Sequence, residues 1–101
     1  MAYFAIHFRL KHESEVARRR LCNELERLGG VEAADMFYLM EVEGTTVEVR
    51  DYLLTFLTDR DLLIVIPFDQ RPETTLALAG TESWIDNRYW TSAVTACASK
   101  T

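Results

Sequence analysis

Residues 4–10 read FAIHFRL, a strict alternation that sets Phe4, Ile6, Phe8 and Leu10 on one side of an extended chain and Ala5, His7 and Arg9 on the other. A strand with one wholly apolar side needs a layer packed over it. The next stretch supplies one, because Ala17, Leu21, Leu25 and Leu28 recur at the spacing of a single buried helical stripe. Ser14 stands where its hydroxyl can cap that helix, and Gly29 and Gly30 permit the left-handed backbone that closes one. On the exposed side, Glu15 with Arg19 and Arg20 with Glu24 lie one turn apart and are expected to pair.

Extended patterns return after the glycines. Residues 31–34 suit a short strand and Asp35 a turn or bulge. Residues 36–42 then alternate Met36, Tyr38, Met40 and Val42 against Phe37, Leu39 and Glu41. Gly44 interrupts the strand, and Thr45 with Glu48 three residues later forms the capping-box signature of a second helix. Val49, Leu53, Phe56 and Leu57 form its apolar stripe, which should end among the polar residues 58–61. Residues 62–68, LLIVIPF, are apolar throughout, which predicts a strand buried on both faces with Pro67 at its end or on an edge. Beyond a turn-rich loop, residues 74–79 fit either a short strand or a helix. Gly80 and Thr81 open a short helix carrying Trp84, Ile85, Tyr89 and Trp90, and residues 91–101 read as a flexible tail.

With 101 residues and 49% hydrophobic composition, the chain suits one domain around one core, over residues 1–90. The order strand, helix, one or two strands, helix, strand predicts an α+β sandwich of ferredoxin-like plan. It has an antiparallel sheet with two helices on one face, plus a C-terminal strand or short-helix appendage. Tyr3, Ala5, His7, Arg9, Phe37 and Leu39 would then lie on the open sheet face. Such an apolar surface is larger than a monomer usually leaves wet. A second copy of the chain is the expected cover, with Tyr3, Ala5, His7, Phe37, Leu39 and Trp84 at the dimer interface.

No stretch is long and apolar enough to span a membrane, no signal segment opens the chain, and a cytoplasmic protein without a membrane partner is expected. Cys22 and Cys97 make neither a metal knuckle nor a disulfide framework. No cofactor motif or metal-ligand spacing is present. The net charge of -5 opposes nonspecific attraction to phosphate, so any nucleic-acid or anion site must be a local patch, for which Arg9, Arg18, Arg19 and Arg20 are the candidates. Arg9 either pairs with an acidic residue such as Glu41, across the sheet or a dimer, or joins a second Arg9 in receiving an anion. His7 and His12 titrate in the range useful for acid and base chemistry, yet local sequence forces no nucleophile or carboxylate beside either. Asp35, Asp59 and Asp61 fit turns and caps. Trp84, Tyr89 and Trp90 suit stacking on bases or, alternatively, closing a core or subunit interface.

The succession FAIHFRL, a helix closing in a double glycine, MFYLMEVEG, TTVEVRDYLLTFLTDRDLLIVI and an aromatic tail resembles the small CRISPR-associated adaptation protein of ferredoxin-like fold and its VapD-like and SinR-like relatives. The SinR-like branch is the closest in pattern. There a segment similar to TVEVRDYLLTFLTDRDLLIV precedes a glycine and a short Trp-containing helix, here AGTESWI. The resemblance spans residues 2–90 and implies a homodimer. Members described as metal-dependent nucleases carry an aspartate near the end of strand one, and two copies face each other across the dimer axis to hold a divalent ion. Arg9 occupies the matching position here, and a one-residue slip would put Phe8 or Leu10 there. A guanidinium keeps its proton and offers no lone pair to a metal.

These observations lead to one expectation, a non-catalytic homodimeric assembly or interaction protein that takes a protein partner and no cofactor or metal. Two alternatives stay open: a metal-dependent nuclease or toxin-like ribonuclease, and a nucleic-acid-binding adaptor that does not cleave.

Overall fold

A computed structural model describes residues 2–11 and 15–90. The cap expected at Ser14, His12 and the expected tail with Cys97 lie outside the described residues. The elements run β1 (Ala2–Arg9), α1 (Glu15–Arg27), β2 (Val31–Ala34), β3 (Phe37–Val42), α2 (Thr46–Leu54), β4 (Leu62–Phe68) and α3 (Thr81–Asp86). The four strands form one antiparallel sheet in the order β2-β3-β1-β4.

The alternation of β1 decides which way the sheet faces. Phe4, Ile6, Phe8 and Leu10 are buried with Tyr38 and Met40 of β3, Leu21 and Leu25 of α1, and Val49 and Leu53 of α2. This is the main core, between the sheet and the first two helices. The double glycine closes α1 as its pattern predicts, although the two residues do different work. Gly29 takes the left-handed conformation with φ 89°. Gly30 lies so close to other backbone that a Cβ would stand 2.9 Å from the Leu25 carbonyl oxygen and 3.2 Å from that of Leu39.

Both halves of the capping box are present at α2. The Thr45 hydroxyl accepts from the Glu48 amide at 3.1 Å, and the Glu48 carboxylate accepts from the Thr45 amide at 2.8 Å. The helix ends at Leu54, and Phe56 and Leu57 reach the core from tighter turns in which each amide bonds the carbonyl three residues back.

Four sequence expectations are corrected. β3 starts at Phe37, not Met36. Asp35 and Met36 form the turn of a β2-β3 hairpin in which Met36 takes φ 59° and the register shifts between Glu32 and Ala34. β4 is not buried on both faces, because it is an edge strand. Leu63 and Val65 pack against the main core, while Ile64 and Ile66 are 41% and 49% exposed. Residues 74–79 form neither strand nor helix. They cross to the far edge of the sheet, where the Leu78 amide donates to the Ala33 carbonyl at 3.0 Å. Arg20 does not pair with Glu24, because Arg27 and the Tyr52 hydroxyl have taken that carboxylate.

A candidate interaction surface on the second sheet face

The second face of the sheet is built by pairing register. Tyr3, Ala5, His7 and Arg9 of β1 stand beside Phe68, Ile66, Ile64 and Leu62 of β4, and the first three also stand beside Glu41, Leu39 and Phe37 of β3. The chain itself covers one end of this face. Trp84 and Ile85 of α3 are buried there with Ala5, Ala33 and Leu39, and Tyr3, Phe68 and Trp90 pack around them.

Aromatic and polar contacts hold this cover in place. The Tyr3 ring lies 4.5 Å from that of Trp90 and 5.7 Å from that of Phe68, and its hydroxyl donates to the Tyr89 carbonyl at 2.6 Å. The Trp84 indole N–H donates to the Gly29 carbonyl at 2.8 Å, tying α3 to the end of α1. The Arg88 guanidinium sits 3.9 Å above the Trp84 ring, and its Nη1 donates to the Trp84 carbonyl. The buried Nε of Arg88 is 3.2 Å from a Glu41 carboxylate oxygen, yet its N–H is not aimed along that line. The two groups therefore form an ion pair without a hydrogen bond at that atom. Burial, reinforced by the Glu41 carboxylate, raises the Tyr3 hydroxyl above its ordinary pKa.

The expected interface set divides along this boundary. Ala5, Leu39 and Trp84 are buried within the protomer, Tyr3 packs against Trp90, and His7 and Phe37 stay half-buried at the uncovered end. The cover expected from a second copy is thus supplied in part by the chain's own α3. His7 Nδ1 lies 3.2 Å from the Met36 carbonyl oxygen, and as a carbonyl only accepts, this bond requires the tautomer protonated at Nδ1. Between the two ends, Ala5, Leu39, Phe37, Ile66 and Phe68 floor an apolar groove of about 340 Å³, bordered by Pro72 and Glu73 of the crossing loop.

The four arginines do not form one patch. Arg18 binds Asp35 at 2.8 Å, Arg19 lies 3.8 Å from Glu15, and the Arg20 guanidinium is 5.5 Å from the centre of the Phe56 ring. Arg9 is exposed and makes no ion pair among the described residues. Its expected partner within the sheet is out of reach. Glu41 stands opposite Tyr3, six residues back along β1, a distance of about 20 Å in an extended strand, and Arg88 holds it.

On the helical side of the molecule, Glu24 accepts two hydrogen bonds from Arg27, at 2.6 and 2.8 Å, and one from Tyr52. These bonds, Arg27 first, lower the Glu24 carboxyl to a pKa of about 2. Among the described residues, no three His, Cys, Asp or Glu side chains are grouped so as to hold a metal ion. No helix there is long and apolar enough to cross a membrane.

The Arg88 clamp and the exposed face of β4 were not anticipated from sequence, although an edge position was one of the two readings of Pro67. Pro67 in an otherwise apolar strand was the signal for that edge. No protein-family model matches the chain, and no curated protein matches it.

Proposed function

We propose that this chain is a self-associating interaction module of ferredoxin-like plan, akin to the small CRISPR-associated adaptation subunit and its SinR-like relatives, which acts by assembly and not by bond cleavage. The order β2-β3-β1-β4, with α1 and α2 sharing one core, supports the ferredoxin-like reading. The observation that carries self-association is the strip left open beside the α3 cover. There Ile64 and Ile66 are 41% and 49% exposed and lie beside half-buried His7 and Phe37. Apolar side chains that a fold leaves uncovered next to an intact core mark a contact surface. Arg9, in the place where cleaving relatives carry an aspartate, supports a role without metal chemistry.

Light scattering on the unmodified chain and on an Ile66→Glu variant tests this reading. The unmodified chain should form a dimer. The variant should dissociate at the same concentration, since a carboxylate in an apolar contact loses its hydration. Both proteins should leave labelled RNA and DNA intact in magnesium or manganese. Shortening of the label that a chelator stops would sink the non-catalytic reading.

A further inference from the structure

β4 has only one of the devices that keep edge strands apart, Pro67 near its end. Natural edges are short, charged, bulged, interrupted by proline or covered. β2, at the opposite edge, has four of these: a length of only four residues, the charge of Glu32, a register shift between Glu32 and Ala34, and the Leu78 amide bonded over it. β4 runs for seven residues, LLIVIPF, without a charge, a glycine or a break in its register with β1. Among the described residues nothing pairs with its outer side. An extended stretch of unpaired backbone donors and acceptors is completed by another strand.

We infer that this strand is the β4 of a second copy, running antiparallel about a two-fold axis at Ile64, so that the two sheets become one. The inference rests on the self-association proposed above and places its seam at the outer border of that strip, where Ile64 and Ile66 meet the other copy, and not at His7 and Phe37. Symmetric pairing at that point sets Ile64 against Ile64, Leu63 against Val65, and Leu62 against Ile66. Each is an aliphatic cross-strand pair of the kind that stabilises sheets. Pro67 then falls just outside the paired stretch, where its missing N–H costs no ladder bond.

Charge favours the same strand as the place where two copies meet. The chain carries a net charge of -5, so two copies repel over most of their surfaces, while β4 is neutral along its whole length. Its flanks carry both signs. Arg60 before the strand and Asp69 after it make no ion pair among the described residues. By contrast, Asp61 accepts from the Lys11 and Thr58 amides and Arg71 holds Asp86. With the axis at Ile64, Arg60 stands opposite Phe68 and Asp59 opposite Asp69, so each Arg60 lies one residue from the Asp69 of the other copy. Arg60, next to that pair of carboxylates, is the cation that offsets their repulsion, which makes Arg60 the charge to reverse.

Cross-linking tests the seam in a background with Cys22→Ser and Cys97→Ser. Residues directly opposite in an antiparallel pair have Cα atoms about 4.5 to 5.5 Å apart, within the reach of a disulfide. Under mild oxidation the Ile64→Cys protein should form a covalent dimer, the Phe37→Cys protein should not, and Arg60→Glu should raise the dissociation constant several-fold. A dimer linked through Phe37→Cys and not Ile64→Cys, or through neither, would overturn the edge seam and leave self-association standing. A single-chain mass for the unmodified protein at every concentration would overturn both.

Discussion

Trp84 is the residue on which the cover of the second sheet face depends, and truncating it to alanine should detach that cover. The side chain is only 7% exposed, donates to the Gly29 carbonyl at 2.8 Å, carries the Arg88 guanidinium 3.9 Å above its ring and meets Tyr3 edge-on with ring centres 6.2 Å apart. Removing a buried tryptophan costs about 3 to 5 kcal/mol, which includes the lost packing and the cavity. A domain of this size holds about 5 to 15 kcal/mol, so the loss is a large share of the total. With a urea dependence of about 2 kcal/mol per molar, the unfolding midpoint should fall by about 2 M. Trp84→Phe separates the contributions. It keeps a ring under Arg88 and loses the N–H donor and part of the area, which should cost about 1 to 2 kcal/mol. Urea titration followed by far-ultraviolet circular dichroism gives both values. An alanine variant that loses less than about 1 kcal/mol would refute the claim that α3 is packed on the sheet, since no buried tryptophan contact is that weak.

Three further outcomes follow from local geometry. Thr45→Ala removes one half of an observed capping box and should lower stability by about 1 kcal/mol in the same titration. Gly30→Ala should be more destabilising than Gly29→Ala, although Gly29 holds the left-handed backbone. A Cβ at Gly30 meets two backbone carbonyls that cannot rotate away, whereas at Gly29 nothing lies within 4 Å. Glu24 has a folded pKa of about 2 against an ordinary value of 4.5. Its depressed pKa contributes stability that is complete above pH 4.5 and is lost as pH falls toward 2. Glu24→Gln should flatten that part of the acid dependence, measured as urea midpoints between pH 5 and 2.

Features encoded by local chemistry were legible in the sequence. The alternation in residues 4–10 oriented β1, the Thr45 and Glu48 pair marked the start of α2, and the double glycine marked the end of α1. What failed depends on order in space. An all-apolar heptad looks the same in a central strand and on an edge, and only the sheet order places β4 outermost. The Arg20 and Glu24 spacing was sound, but Arg27 and Tyr52 compete for the same carboxylate and take it. The second sheet face was recognised as apolar, yet the crossing loop brings α3 back over half of it, so Ala5, Leu39 and Trp84 are covered by their own chain. Arg9 was correctly placed on that face, while the distance from Arg9 to Glu41 needed the β1-β3 register.

Hydrogen exchange of the β4 amides at low and high protein concentration tests most directly whether the uncovered strip is where copies meet. Association there should slow exchange across Leu62 to Ile66 as concentration rises and leave β2 and the exposed side of α1 unchanged. Exchange in β4 that is independent of concentration, or protection that grows on α1 instead, would contradict the account.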